Sequence, residues 1–249
     1  QKFNWDAFAE GMRHFNELNI HETNKWDVYA KCDNIALNSC AQSFWRIYMY
    51  QQGANKHFER EAKVIWKYFE KCLKKDIRPF KYKHRALAWS CGSTYYDSAT
   101  CWLYQCWGIL TVINMDSLTG HNIVDTEDRD EMMSDIADLY ARSPMRTHTV
   151  GGNRHILMMF ETAAKFNCDM IVMYDDIGCK GMAGCQGLLE EEFRKHPEFH
   201  IMWMPHALMD CRTVPTAEAR KVVNDYMTTV LHEEPVDPSL VDFDDSEGW

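Results

Sequence analysis

Residues 168–187 read CDMIVMYDDIGCKGMAGCQG, and this stretch decides the fold. Its first part, Met170–Tyr174, is a short apolar run typical of a buried strand. A loop that carries Cys179 follows, with four glycines spaced three apart around it, and a helical pattern begins near residue 184. A buried strand that passes through a loop into a helix is part of a β-α-β unit, so this stretch predicts an α/β protein.

The same alternation of an apolar run and a helical stretch recurs between residues 86 and 231. Three more apolar runs of strand length lie at Ala86–Trp89, Leu110–Ile113 and Ile201–Met204. Helical stretches are predicted at 95–106, 127–141, 153–167 and 184–196. A last amphipathic helix is predicted at about 215–231, with Thr213 as its N-cap and Pro215 in its first turn. Strands that alternate with helices predict a doubly wound, mainly parallel, flavodoxin-like sheet.

The first eighty residues predict helices only. Apolar residues recur at helical spacing in three stripes, Trp5–Phe15, Tyr29–Ile47 and Phe58–Leu73, and Pro79 is expected to end this block. We therefore expect a helical segment at 1–80, an α/β domain at 81–235 and an acidic C-terminal tail at 236–249 whose end is mobile.

Composition and charge narrow the class of protein. The 249 residues include 27 Lys and Arg against 37 Asp and Glu, a net charge of −10 that argues against nucleic acid as a partner. No apolar run approaches the roughly 20 residues of a membrane span. No secretory leader is visible, so a cytoplasmic protein with reduced thiols is expected. The chain starts at Gln1, directly before a helical pattern, and an N-terminal part is expected to be absent.

Cys179 is the strongest candidate for a functional residue. Ligands of open α/β sheets bind beyond the carboxyl ends of strands, where helix N-termini direct free N–H groups. The glycine spacing departs from both common phosphate-binding patterns, and five residues separate Cys179 from Cys185 where a zinc site has two to four. An iron–sulfur thiolate near a helix N-terminus and an ordinary loop cysteine are the other interpretations.

The remaining cysteines, aspartates and histidines favour structural interpretations. Six cysteines fit a buried core, namely Cys32, Cys40, Cys72, Cys101, Cys106 and Cys168, whereas Cys91, Cys185 and Cys211 are less decided. Asp175 and Asp176 form either an acid–base pair or a cap for the following helix, and we favour the cap. The histidines show no metal-ligand spacing, and His84 and His206 are expected at the surface or at strand ends.

The run Cys168–Leu231 resembles the C-terminal domain of the 2-hydroxyacyl-CoA dehydratase and benzoyl-CoA reductase family. The resemblance rests on Cys179-Lys180 before an amphipathic helix, on a strand that ends near Asp210-Cys211-Arg212, and on a final helix with Ala219-Arg220 and Tyr226-Met227. The segments Arg85–Trp89 and Gly108–Asp116 fit the family's middle section. The chain departs from the family's commoner Asn-x-x-Cys-Lys form, because it has Asp176-Ile-Gly-Cys179-Lys180.

The resemblance is greatest to the larger (alpha) subunit of a 2-hydroxyglutaryl-CoA-type dehydratase without its N-terminal domain. It implies a specific chemistry. Such enzymes are oxygen-sensitive heterodimers with [4Fe-4S] clusters, and an ATP-hydrolysing activator injects one electron. A ketyl radical forms on the acyl-CoA substrate, and loss of water gives an enoyl-CoA. Cys179 is the implied cluster ligand, the other ligands coming from the absent N-terminal domain. The alternatives are a benzoyl-CoA-reductase-type subunit and a structural subunit without a cluster.

Overall fold

The computed structural model describes residues 2–32, 54–89, 97–115, 122–142, 153–176, 178–206 and 213–243. Two helices come first, α1 (Trp5–Ala30) and α2 (Lys56–Lys74). Strands and helices follow in the order β1 (His84–Trp89), α3 (Asp97–Trp107), β2 (Ile109–Asn114), α4 (Arg129–Ala141), α5 (Asn153–Lys165), β3 (Met170–Asp176), α6 (Lys180–Phe193), β4 (His200–His206) and α7 (Thr216–Asp225). A π-helical turn, Tyr226–Val230, prolongs α7, and a short 3-10 helix lies at Pro238–Leu240.

The strands form one parallel sheet in the order β2-β1-β3-β4 within the described residues. The chain passes from β1 outward to β2 and then crosses back over β1 to β3, so the direction of winding reverses between β1 and β3. In that pair Ala86 lies beside Met170 and Trp89 beside Met173. The predicted doubly wound, flavodoxin-like sheet behind a helical N-terminal segment is confirmed.

Each face of the sheet is covered by helices. Side chains alternate between the two faces along a strand, so Leu87, Trp89 and Met173 enter the core beneath α1, α2, α5 and α6. Ala88 and Val172 enter the core on the other face, beneath α3 and α7. Because both faces are covered, the central strands are apolar throughout, which explains why short apolar runs identified them.

The helical segment differs from its predicted boundaries in one place. Tyr29, the expected start of a second helix, lies in the last turn of α1, where its ring packs against Phe69 of α2 at 5.1 Å. The Asn4 side chain caps the start of α1 by accepting the Ala7 N–H at 3.1 Å. No glycine or proline interrupts the chain between Phe15 and Tyr29, so α1 continues. The rest of the Tyr29–Ile47 stripe, from residue 33 on, lies outside the described residues.

Local backbone contacts set two helix boundaries. The second helix ends at Lys74, one residue after its apolar stripe and before Pro79, because Asp76 adopts a left-handed conformation (φ 50°) and the Ile77 N–H donates to the Cys72 carbonyl. The prediction that Thr213 is the N-cap of α7 is wrong, since Pro215 holds that position and its carbonyl accepts the first helical N–H groups. The apolar pattern does not report an N-cap that acts through its backbone carbonyl.

An ionic cluster surrounds His84 at the amino end of β1, so the structure confirms the strand-end alternative of the prediction and not the surface one. His84 is 6% exposed, and its ring nitrogens donate to Asp169 at 2.6 Å and to Glu233 at 2.7 Å. The hydrogen bond that His84 donates to Asp169 raises the pKa of His84 above its ordinary value. Partial burial opposes ionisation of Asp169, but His84 and the Arg85 N–H outweigh it and lower the pKa of that carboxyl.

The C-terminal segment is anchored as far as Phe243. The Val236 N–H donates to the Cys106 carbonyl at 2.7 Å, and the Trp102 indole donates to the Leu240 carbonyl at 2.7 Å. The guanidinium of Arg220 in α7 donates to the Phe243 carbonyl. The first part of the expected tail is therefore packed against α3 and α7, and residues 244–249 lie outside the described part. None of the described helices is both long and apolar enough to cross a membrane.

The His84 cluster predicts a pH-dependent stability. The substitution His84→Gln should lower the free energy of unfolding by about 2 kcal/mol near pH 6, since it removes hydrogen bonds between charged groups. The raised pKa means that this stabilisation is complete below pH 6.5 and is lost as the pH rises through the folded-state pKa. Urea unfolding of both proteins between pH 5.5 and 9 measures the difference.

The exposed His57 provides the control, and His57→Gln should leave the pH dependence unchanged. A stability difference for His84→Gln that grows with rising pH would contradict this assignment of charge.

Candidate functional site

The reversal of winding between β1 and β3 marks the place where this fold binds ligands. At a switch point of this kind the connections leave neighbouring strands in opposite directions, so a crevice opens beyond their carboxyl ends. The carboxyl ends concerned are Trp89 in β1 and Asp176 in β3. The loop from β3 to α6, which carries Cys179, therefore begins at the edge of this crevice.

Cys179 is the N-cap residue of α6. Its backbone is extended (φ −94°, ψ 96°) and its carbonyl accepts the Ala183 N–H at 3.1 Å, but its side chain makes no capping hydrogen bond. The side chain is half-buried and packs against the apolar cluster that contains Trp89 and Met173. The thiol thus lies at the positive end of a helix dipole, and capping does not use it.

The two aspartates before Cys179 have different environments. Asp176 is buried, and its Oδ1 accepts the Gly178 N–H at 3.1 Å while its carbonyl accepts the Cys179 N–H at 2.8 Å. The prediction that these aspartates cap the helix is wrong, because Asp176 closes the turn before the N-cap. Asp175 precedes it on the strand, and successive strand residues project to opposite faces, so an acid–base pair is not favoured.

Most of the other described cysteines are structural. Burial raises the pKa of Cys106 to about 11 and that of Cys168 to about 12, and Cys32 and Cys72 are also buried. Cys101 was expected in the core but is exposed, because the buried side of α3 is formed by Trp102, Leu103, Cys106 and Trp107. Cys40, Cys91 and Cys211 lie outside the described residues.

Cys179 has no companion ligands in the described part of the chain. Cys185 is half-buried one and a half turns further along α6, packed against the same apolar cluster. Across the described ranges, no three His, Cys, Asp or Glu side chains come close enough to hold a metal ion. Lys180, exposed in the first turn of α6, is the basic residue next to Cys179, whereas Arg194 and Lys195 lie at the far end of the helix.

A buried polar pair at the end of β1 was missed in the sequence. The Trp89 indole N–H donates to Nε2 of His155 at 2.9 Å, and both side chains are buried. An indole nitrogen only donates, so Nε2 accepts and this imidazole is neutral. The pair fixes the Trp89 ring in the core at the carboxyl end of β1. The two residues are 66 positions apart, and no sequence spacing links them.

These environments predict the order of thiol reactivity in cluster-free protein. Cys179 should react with iodoacetamide much faster than Cys106 or Cys168, because the thiolate is the reactive form and burial suppresses it at the latter two. Mass spectrometry of peptides after brief labelling measures the order, with the exposed Cys101 as the positive control. Labelling of Cys168 at the rate of Cys179 would contradict the described packing.

Comparison with known proteins agrees with this geometry. A family model described as 2-hydroxyglutaryl-CoA dehydratase, D-component, matches residues 1–209, from α1 to beyond β4, and so includes the crevice and Cys179. No curated protein matches the chain closely enough to count as a relative. The matched part is well over half of the 249 residues and has the fold that the resemblance implied. The chain therefore belongs to the 2-hydroxyglutaryl-CoA dehydratase D-component family.

Proposed function

We propose that this chain is a subunit of an iron–sulfur (R)-2-hydroxyacyl-CoA dehydratase and that Cys179 supplies one thiolate to its [4Fe-4S] cluster. The family membership supports a dehydratase subunit. The observation that carries the ligand assignment is the position of Cys179, half-buried at the N-cap of α6 and beyond the carboxyl end of β3. A switch-point crevice is where this fold binds its cofactors.

The residues around Cys179 suit one ligand of a cluster. A thiolate-ligated cluster carries negative charge, and the N-terminus of α6 offsets such charge with its dipole and its free N–H groups. The apolar cluster against which the half-buried Cys179 side chain packs keeps water from one side of the thiol. Since no further ligands are grouped there among the described residues, the other thiolates would come from segments outside them or from another chain.

The proposed reaction removes water from a 2-hydroxyacyl-CoA and gives an enoyl-CoA, with no net change in electrons. When bound, the cluster would supply one electron to the thioester carbonyl, and the added electron would make the 2-hydroxyl group a leaving group before the β-proton is lost. The 2-hydroxyl group and the β-proton then leave as water, and the electron is recovered. The exposed Lys180 beside Cys179 would attract an anionic group of the substrate.

The proposal includes partners and a division of the chain. A second dehydratase subunit would complete a heterodimer, and an ATP-hydrolysing activator would donate the electron. We assign residues 81–235 as the domain that bears the cluster loop, with a helical segment at 1–80 before it and the acidic tail at 236–249 after it. The chain would correspond to the larger subunit.

One observation favours a second candidate, a structural subunit without its own cluster. Cys179 lacks grouped ligands within the described ranges, and a subunit that only shapes the substrate channel needs none. Iron content of this chain within the complex separates the two candidates. A reductase of aromatic acyl-CoA rings would also use a cluster, but it would consume ATP on every turnover, whereas a dehydratase needs ATP only to start.

The ligand assignment predicts the result of removing the thiol. In the complex purified without oxygen, Cys179→Ser should lose a cluster, about four iron and four sulfide, and with it the dehydration of a 2-hydroxyacyl-CoA. Iron and acid-labile sulfide analyses measure the loss. Cys185→Ser is the matched control, because it changes a half-buried cysteine of the same helix, and it should keep its iron.

Equal iron in the wild-type complex and in Cys179→Ser would refute the ligand assignment and favour the structural subunit. ATP hydrolysis in proportion to product would refute the dehydratase and favour ring reduction.

A further inference from the structure

We propose that the solvent face of α2 is an interaction surface and that it binds the α4 region of a second copy of this chain. This surface lies outside the proposed function, since it involves neither the cluster nor the second dehydratase subunit. Two surfaces of opposite charge take part. The basic stripe consists of the six basic residues of α2, and the acidic region is residues 125–138.

All six basic residues of α2 lie on one face of the helix. They recur every three or four residues, a spacing that brings them within about 80° around the axis and along about 27 Å of its length. Each of them is exposed, and their face is roughly opposite to the buried Ala62 and Phe69. The six residues of the basic stripe are Lys56, Arg60, Lys63, Lys67, Lys71 and Lys74.

Most of the positive charges in the basic stripe are unpaired. Lys67 forms an ion pair with Glu70 at 2.9 Å and lies over the Trp66 ring, but the other five make no ion pair within the described residues. On α7, by contrast, the exposed Lys221 pairs with Asp225. Neighbours of like charge at these spacings destabilise a helix, so the stripe is kept at a cost in stability. An external partner that carries carboxylates would remove this repulsion.

The acidic region has the opposite charge. It contains seven carboxylates and one basic residue, Arg129. The Asp128 side chain is used as the N-cap of α4, but the exposed Asp130 and Glu131 make no ion pair in the part of the chain that the structure describes. The acidic region therefore offers unpaired negative charge where the basic stripe offers unpaired positive charge.

Exposed apolar side chains accompany both charged surfaces. Val64 is 63% exposed and Tyr68 is 46% exposed beside the basic stripe, and on α4 Met133 is 48% and Tyr140 is 68% exposed. The first two residues are one helical turn apart and the last two are two turns apart, so each pair shares one side of its helix. Protein interfaces combine such apolar groups with a charged rim, which favours a protein as the partner.

A second copy of the chain supplies the complementary surface. Within one copy α1 separates the two surfaces, because His14 of α1 is hydrogen-bonded to Glu59 of α2 at 2.8 Å. Asn16, about 200° further around α1, donates to the carbonyl of Val124 at 2.8 Å, just before the acidic region. A second copy can bring its acidic region to the stripe, and complementary charge favours that encounter. Nucleic acid suits the stripe less, since a net charge of −10 repels a polyanion elsewhere on the chain.

Capture of one tagged copy by another tests the contact. Two differently tagged forms of the full chain, each purified with any subunit that accompanies it, are mixed and captured through one tag. The second copy should be captured at about 20 mM salt and about 10-fold less at about 300 mM, because salt screens the paired charges. A stripe variant should lose capture about 10-fold or more at low salt; it combines Lys63→Glu, Lys67→Glu and Lys71→Glu.

The matched control makes the same change in net charge away from α2. It reverses three other exposed lysines, and it should be captured like the wild type. Its substitutions are Lys165→Glu, Lys195→Glu and Lys221→Glu. Circular dichroism of each variant verifies that the helices are retained.

Reversal of both surfaces identifies the pair. An α4 variant, Asp130→Lys with Glu131→Lys, should fail to capture a second α4 variant. The stripe variant and the α4 variant should nevertheless capture each other, because every reversed surface then meets a surface of opposite charge.

Three results would overturn the proposal. They are the absence of a second copy at low salt, capture that does not depend on salt, and equal capture by the stripe variant and its control. Stripe-dependent binding of the other dehydratase subunit, of phosphatidylserine vesicles or of nucleic acid, without association of copies, would overturn the choice of partner. The salt dependence of the wild type decides even if a variant does not fold. Cys179→Ser should associate like the wild type, so failure of the cluster assignment is a separate result.

Discussion

The parallel pairing of β1 with β3 is the constraint on which the rest of this structure depends. Their paired residues, Ala86–Trp89 and Met170–Met173, are at most 1% exposed. Burying each large side chain there contributes about 2 kcal/mol, so the two strands are fixed side by side. Because the connections leave them in opposite directions, a crevice at their carboxyl ends follows from the topology. The positions of Trp89, Asp176 and Cys179 are consequences of this single pairing.

The two ends of the sheet use polar groups in different ways. At the amino end, His84 joins Asp169 and Glu233 and so ties β1 to the turn before β3 and to the segment after α7. His84 pairs with both carboxylates, and Glu233 also lies 3.4 Å from the Lys83 ammonium, so the cluster pairs opposite charges within the chain and suits a stabilising role. At the carboxyl end, the Cys179 thiol makes no capping hydrogen bond. The Asp176 side chain accepts the Gly178 N–H, in the turn that precedes Cys179. Function is expected at the end where a reactive side chain remains available.

Much of this fold was predictable from the sequence because both faces of the sheet are covered. The predicted ends of the four described strands lie within two residues of the observed ends. A short apolar run is either a buried strand or part of a buried helix, and the short length of these four runs favoured strands. The place of Cys179 after β3 followed from the same reasoning. The N-cap of α7 was missed, because Pro215 caps the helix with its backbone carbonyl and leaves no apolar signal.

The remaining errors concern side chains whose partners are distant in sequence. His84 was expected at the surface or at a strand end, and it does begin β1, but its burial was not predictable because Asp169 and Glu233 meet it only after the chain has folded. The bond from Trp89 to His155 has the same origin. Cys101 was assigned to the core because aromatic residues flank it, but neighbours on a helix point about 100° apart, and its own direction is outward. The chemistry of acyl-CoA and of the cluster came from the family resemblance, not from composition or spacing.

The most direct test of the central claim, that a cluster binds at the switch point through Cys179, is to locate iron in the complex. Crystals of the complex, grown without oxygen, would be measured with X-rays on both sides of the iron absorption edge. The account predicts an anomalous peak within bonding distance of the Cys179 sulfur, beyond the carboxyl ends of β1 and β3. A complex whose iron lies only elsewhere, with no peak near Cys179, would contradict it.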